Sequence, residues 1–227
     1  MVNGQTKMII INSPHNPTGS ILSMQDLKQL EKITEGSDIL VLSDEVYEHI
    51  IFDGYEHQSV ARFPSLAKRS FVISSFGKTY HTTGWKVGYC MAPEALMKEF
   101  RKTHQYNVFS VNTPVQAAYA EFLKREEEYL ELRHFYQEKR DLFVNLLKGS
   151  RFEIKHTAGS YFQLLGYKKI SQEKDTEFAV RLTKEHKVAS IPTSVFYNQN
   201  LDLHVLRFCF AKQNSTLEQA AEILQKV

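Results

Sequence analysis

At 227 residues, with 42% hydrophobic and 24% charged side chains, the chain has the composition of a folded protein with one large domain or two small ones. Its 28 basic and 26 acidic residues leave a formal net charge of +2, which argues against nucleic acid or an anionic membrane surface as a partner. No apolar run approaches the ~20 residues of a bilayer span, and the short run from Met8 to Asn12 is followed at once by Pro14, unlike a secretory signal. A cytoplasmic protein without a membrane partner is expected. Cys90 and Cys209 each lie in an apolar run and are expected to be small buried residues in a reducing compartment. A CxxC pair and any Cys/His cluster at metal spacing are absent from the sequence, so no metal is expected.

The first half alternates strands with helices. Residues 7–12 form a β-branched apolar run ending in a Pro/Asn/Gly cluster, the signature of a strand feeding a loop. A helix start follows at Ser23, with Leu27, Leu30 and Ile33 expected on one buried face. Further strands are predicted over 39–42, 71–75 and 87–91. Short, continuously apolar strands between helical segments predict an α/β unit whose mostly parallel sheet carries helices on both faces. From about residue 93 to 147 the chain reads as helical, with 126–147 as one long amphipathic helix. Strands then follow over 152–156, 160–165, 188–191 and 204–210, with helices over 176–186 and the last dozen residues. This change of pattern divides the chain into residues 1–124 and a smaller α+β domain over 125–227, which includes the linking helix.

Polar groups gather at the ends of the parallel strands, the edge where open α/β sheets bind ligands. Ser13-Pro14-His15-Asn16-Pro17-Thr18-Gly19 follows the first strand, and its two prolines and glycine hold Asn16 in a rigid loop. Ser43-Asp44-Glu45-Val46-Tyr47 follows the second; Asp44 there is either a helix N-cap or a carboxylate awaiting a partner, since an uncompensated buried charge is costly. Ser74-Ser75-Phe76-Gly77-Lys78 follows the third. A lysine beside two hydroxyls at a strand end is either a solvated loop residue or an amine able to attack a carbonyl. Gly84-Trp85-Lys86-Val87-Gly88 comes next.

Taken in this order, together with Leu206-Arg207-Phe208-Cys209-Phe210-Ala211-Lys212, these motifs resemble the class I/II aminotransferases of fold type I. The likeness is greatest to the branch with kynurenine, glutamine-phenylpyruvate and methionine aminotransferases. The resemblance implies a pyridoxal 5'-phosphate enzyme that transfers an amino group between an aromatic, methionine-like or glutamine-like amino acid and a 2-oxo acid. It implies that residues 1–124 are the C-terminal part of the cofactor-binding large domain. Lys78 would carry the cofactor as a Schiff base and move the α-proton. Asp44 would pair with the pyridine nitrogen, Asn16 and Tyr47 would hydrogen-bond the cofactor's 3-oxygen, and Ser75 and Lys86 would hold its phosphate. Arg207, with Asn16, would receive the substrate carboxylate. Family members are usually homodimers, so a homodimer is implied.

The resemblance begins in the middle of the family's pattern. A complete relative carries a preceding portion with a glycine-rich phosphate-binding helix start, an aromatic ring for the pyridine and a substrate-binding arm. The alternatives to transamination are a cysteine-conjugate β-lyase on the same scaffold and an inactive fragment that keeps the fold. Among the other conspicuous residues, His15 and His81 are expected to hydrogen-bond within loops, His57 and His104 to lie on the surface, and Trp85 to pack in the core. Tyr161 and Phe162 could line the substrate side chain or belong to the core.

Overall fold

A computed structural model describes residues 2–199 and 201–227. The chain clusters into two compact units: Met1–Pro14, Ile21–His49 and Tyr55–Leu132 form the first, and His15–Ser20, Ile50–Gly54 and Arg133–Val227 the second.

In the first unit, β1 (Met8–Asn12), β2 (Leu40–Asp44) and β3 (Ser70–Ser75) pair in parallel, and β4 (Gly88–Met91) joins β3 antiparallel, in the order β1-β2-β3-β4. Helix α1 (Met24–Thr34) connects β1 to β2, and the short α2 (Pro64–Ala67) precedes β3. Helix α1 begins where its local chemistry dictates. Ser23 Oγ accepts from Asp26 N at 3.2 Å, while Asp26 Oδ2 accepts from Ser23 N at 2.7 Å, a reciprocal cap worth about 1 kcal/mol. Leu27 and Leu30 face the core with Val41, Val60, Leu66 and Val72. Ile33 does not join them and is 51% exposed, with Thr34 buried in its place. At 3.6 residues per turn, positions 27, 30 and 34 share a stripe that 33 leaves. Thr34 enters because its hydroxyl donates to Leu30 O at 2.9 Å, removing the penalty for burying it. One face of the sheet is deeply buried and the other half-exposed: Ile9 and Ile11 pack against the core while Ile10, between them, is 70% exposed.

A single turn, α3 (Phe76–Thr79), follows β3, and β4 leads into α4 (Glu94–Asn107), α5 (Thr113–Phe122) and α6 (Glu127–Leu130). The helix predicted over 126–147 is in fact two, α6 and α7 (Leu132–Leu146), separated at Glu131. Glu127, Glu128 and Glu131 are like charges three and four residues apart, which disfavours a continuous helix there.

The second unit holds β5 (Glu153–Ile154), β6 (Phe162–Gly166), α8 (Asp175–His186), β7 (Ile191–Pro192), β8 (Val205–Cys209) and α9 (Asn214–Leu224). Its strands form an antiparallel sheet in the order β5-β6-β8-β7. Tyr167 stacks on Phe178 at 4.3 Å, and Phe52 meets Phe210 at 6.2 Å. Buried Arg140 ties this core together: it grips Asp53 through both terminal nitrogens at 2.6 and 2.9 Å, donates to Thr157 O at 2.8 Å, and covers the Phe52 ring at 4.9 Å. Both cysteines lie in strands as expected, but half-buried rather than buried, and neither is in a disulfide.

Replacement at the two neighbouring apolar positions of α1 separates buried from exposed. Leu27→Ala is expected to cost about 3 kcal/mol of unfolding free energy, and Ile33→Ala no more than roughly 0.5 kcal/mol, measured by urea unfolding followed by circular dichroism.

Candidate active site

Parallel pairing aligns strand ends. Asn12 lies opposite Asp44, and Asp44 opposite Ile73, so the C-terminal ends of β1, β2 and β3 share one edge. Because β4 runs the other way, its first residue, Gly88, pairs with Ser75. That returns the preceding segment, with Lys86, to the edge that holds Ser75 and Lys78. The strands approach closely there: a Cβ on Gly88 would come within 2.6 Å of Ser74 O, so no larger residue fits without moving backbone.

Five of the expected site residues therefore belong to this edge of the first unit. Asp44 is not a helix N-cap, since the residues after it form a turn; its Oδ1 accepts one hydrogen bond, from Val46 N at 3.2 Å. Among the described residues no cation pairs with it. Burial pushes the Asp44 carboxyl above its ordinary value, the Val46 N–H opposes that shift, and the Glu45 charge adds to it. Tyr47 is 2% exposed, and the Lys78 Nζ lies 5.9 Å from its ring centroid, at the outer limit of cation–π contact. Ser75 caps the α3 turn by accepting from Gly77 N at 3.1 Å. Lys86 is exposed, in a left-handed conformation at φ 57°, and no carboxylate pairs with it among the described residues.

Sequence reasoning missed the groups behind these. Glu45, 2% exposed, accepts from Ser43 Oγ at 2.8 Å, Ser59 Oγ at 3.1 Å and Val60 N at 3.2 Å, and its other oxygen meets His57 Nε2 at 2.7 Å. His57 is thus not a surface residue; its contact with Glu45 holds it inward. Burial alone would raise the Glu45 carboxyl, but hydrogen bonds and charge from His57, with the two serines, hold it below its usual range. Glu48 accepts from Ser74 Oγ at 3.0 Å and Tyr89 Oη at 2.7 Å. Trp85, expected in the core, is 49% exposed and rests 5.5 Å from the Tyr119 ring. Its neighbours Gly84 and Lys86 are themselves exposed, so local hydrophobicity could not place it. His104 is half-buried on α4, stacked 5.7 Å from Phe100, rather than fully on the surface.

The second unit carries the other two. Loop 15–20 closes through His15 N to Ser20 O and Gly19 N to His15 O, both 2.8 Å, and His15 Nδ1 meets Thr18 Oγ1 at 2.7 Å. Gly19 O accepts from both Ala158 N and Gly159 N at 2.9 Å. Gly19 itself is at φ 69°, and a Cβ there would lie 2.6 Å from Thr157 Cγ2, which leaves glycine as the residue that fits. The loop delivers Asn16 to β8, where Asn16 Oδ1 accepts from Arg207 NH1 at 2.6 Å. The Arg207 guanidinium lies 4.0 Å from the Phe162 ring centroid and 5.6 Å from that of Phe196. Phe162 is buried under the arginine, whereas Tyr161 packs on Tyr136 at 5.7 Å. A cavity of about 550 Å³ opens beside Asn16, with a mixed lining that includes Lys155, His156 and Thr193 as well as Leu164, Phe196 and Val205.

The chain matches the family model for aminotransferase class I and II over residues 2–224. It is 48% identical to a methionine aminotransferase of Escherichia coli, over 100% of this chain and 59% of that protein. It is 37% identical to a kynurenine–oxoglutarate transaminase of Dictyostelium discoideum, over 98% of this chain and 57% of the relative. The crystal structure of an Escherichia coli protein with a methionine aminotransferase function superposes with a TM-score of 0.97 at 48% identity, over 100% of this chain and 60% of that one. N-succinyldiaminopimelate aminotransferase from Mycobacterium tuberculosis superposes with a TM-score of 0.94 at 35% identity, over 99% and 59%. The chain thus spans less than two thirds of the length of these relatives.

A carboxyl whose pKa is raised on folding costs stability above that pKa, and the cost vanishes below the ordinary aspartate value of about 4. Asp44→Asn is therefore expected to raise the thermal unfolding midpoint at pH 7. The gain shrinks as the pH falls towards 4, which melting curves across that range would record.

Proposed function

The chain belongs to the class I and II aminotransferases, and from that premise we propose that it supplies the lysine, the pyridine-nitrogen partner and the substrate-carboxylate arginine of a transaminase. The family's cofactor is pyridoxal 5'-phosphate, which when bound supplies an electron sink for charge developing at a substrate's α-carbon. The observation that carries the proposal is Asp44: a half-buried carboxylate with one hydrogen bond, raised in pKa, on the edge that holds Lys78. Such a group fits a cationic pyridine nitrogen, whose charge would offset the cost of its burial.

On this reading Lys78 would hold the cofactor through its Nζ and, once that amine is freed by the incoming amino donor, would serve as the base for the substrate's α-proton. Asp44 keeps the ring nitrogen protonated, and the Tyr47 hydroxyl hydrogen-bonds the 3-oxygen. The Ser75 hydroxyl and the exposed, unpaired charge of Lys86 hold the phosphate. Arg207 receives the α-carboxylate with its two-pronged guanidinium, its plane fixed by Phe162 and its orientation by Asn16. The names of the relatives favour an aromatic or methionine-like amino donor and a 2-oxo acid acceptor; a glutamine-like donor rests on the sequence resemblance alone. The resemblance supports the remaining parts of the proposal: residues 1–124 as the C-terminal part of the cofactor domain, 125–227 as the small domain, and a cytoplasmic homodimer. No helix among the described residues is long and apolar enough to cross a membrane.

Cofactor trapping tests this. The purified protein, given pyridoxal phosphate and reduced with borohydride, is expected to carry the label on Lys78 by peptide mapping. Labelling should disappear in Lys78→Ala and weaken in Asp44→Ala; label scattered over surface lysines would refute the assignment. Arg207→Lys should raise the KM for the amino donor by about tenfold or more, since replacing a bidentate, charge-assisted contact with a point charge costs on the order of 1.5 kcal/mol.

A further inference from the structure

We propose that Glu45 is a positioning residue for the cofactor site: its buried carboxylate locks the tip of β2 so that Asp44 and Tyr47 present their polar ends to the cofactor. The inference rests on the function proposed above and concerns a residue that touches neither cofactor nor substrate in it.

Strand alternation sets the geometry. Ser43 and Glu45 turn to the buried side, each 2% exposed, so Asp44 between them turns the other way. The Glu45 N–H donates to Ile73 O at 2.9 Å, the last tie of this strand to β3, and its carbonyl accepts from Glu48 N at 2.9 Å, closing the turn that carries Tyr47. Glu45 is therefore the residue at which the strand stops and the turn begins.

The side chain anchors that point from within. Oε1 accepts from Ser43 Oγ, Ser59 Oγ and Val60 N, and Oε2 from the His57 side, so strand tip and segment 57–60 are fastened to one carboxylate. The carboxylate offers acceptor sites for the whole set, with Oε1 taking the two hydroxyls and the amide and Oε2 facing the imidazole. The His57 ring has no second polar partner: its Nδ1 is buried without one among the described residues.

The network also separates two adjacent negative charges. Glu45 has three donors and a histidine, whereas among the described residues the Asp44 carboxylate accepts from the Val46 N–H. Of the two carboxylates, Asp44 is the one left able to take a cation.

The test titrates pyridoxal phosphate into the purified protein and into Glu45→Ala, Glu45→Gln, His57→Ala and Ser59→Ala. The readouts are cofactor affinity, the pH midpoint of the visible band of lysine-bound cofactor, and the unfolding midpoint. In Glu45→Ala the affinity is expected to fall on the order of tenfold, as for loss of supporting partners in other sites, with the pH midpoint displaced. Glu45→Gln should recover most of the affinity, because its amide oxygen still accepts from Ser43, Ser59 and Val60. Lower unfolding midpoints with unchanged affinity and pH midpoint would overturn the proposal and leave Glu45 structural. Should Glu45→Ala fail to fold, His57→Ala and Ser59→Ala decide in the same way: weaker binding with a displaced midpoint supports the proposal, and unchanged values overturn it. If the parent protein takes no label at Lys78, the functional proposal itself fails and this inference with it. Normal labelling in the parent with unaffected variants removes this inference alone.

Discussion

Two neighbouring carboxylates, Asp44 and Glu45, end a strand inside a half-buried environment, and the chemistry of the first unit follows from how differently the fold treats them. Removing a charge from water is costly unless donors or an opposite charge replace its hydration. Glu45 receives that replacement in full from Ser43, Ser59, Val60 and His57. Asp44 receives a single backbone donor and keeps a raised pKa. A fold optimised for stability alone would not leave such a group in place, and strained or under-compensated groups concentrate where function requires them.

The second unit treats a positive charge in the opposite way. Arg207 lies on a buried strand, and its planar guanidinium is fixed by an aromatic face and by the Asn16 side chain. Arg140, in the same unit, is saturated by Asp53, Asp141 and Thr157 O. The donors of Arg140 are committed to protein partners around the Phe52 ring, which marks it as structural, whereas Arg207 is oriented by the Phe162 face and the Asn16 amide oxygen.

Features carried by neighbouring residues were readable in the sequence. Ser23 and Asp26 start α1 by a local exchange of hydrogen bonds, and the strands of the first sheet lie where short apolar runs end in polar loops. The loops bearing Asp44 and Lys78 lie on one edge because parallel pairing places them there, and the antiparallel β4 returns Lys86 to it. What was hidden depends on distant partners. His57 reads as a polar residue in a polar stretch until Glu45 is seen to face it, and nothing near Arg140 announces Asp53. The misplacement of Ile33 has another origin: a hydroxyl satisfied by the preceding turn lets Thr34 displace an apolar residue from the buried stripe. Strand β5 keeps only Glu153–Ile154 of the expected 152–156, and β7 (Ile191–Pro192) overlaps the expected 188–191 at Ile191 alone.

The carbonyl of Gly19, held by two successive amides of segment 158–159, has a consequence for how this protein can evolve. The loop that bears Asn16 is shaped by a stretch of chain very distant in sequence, with the Thr157 methyl filling the space a side chain at position 19 would need. A mutation at 157 and one at 19 thus act on a single packing problem. Because the backbone at 19 requires glycine, enlargement at 157 finds no compensation there, so the size of residue 157 is constrained by the loop that orients Asn16 without touching a ligand.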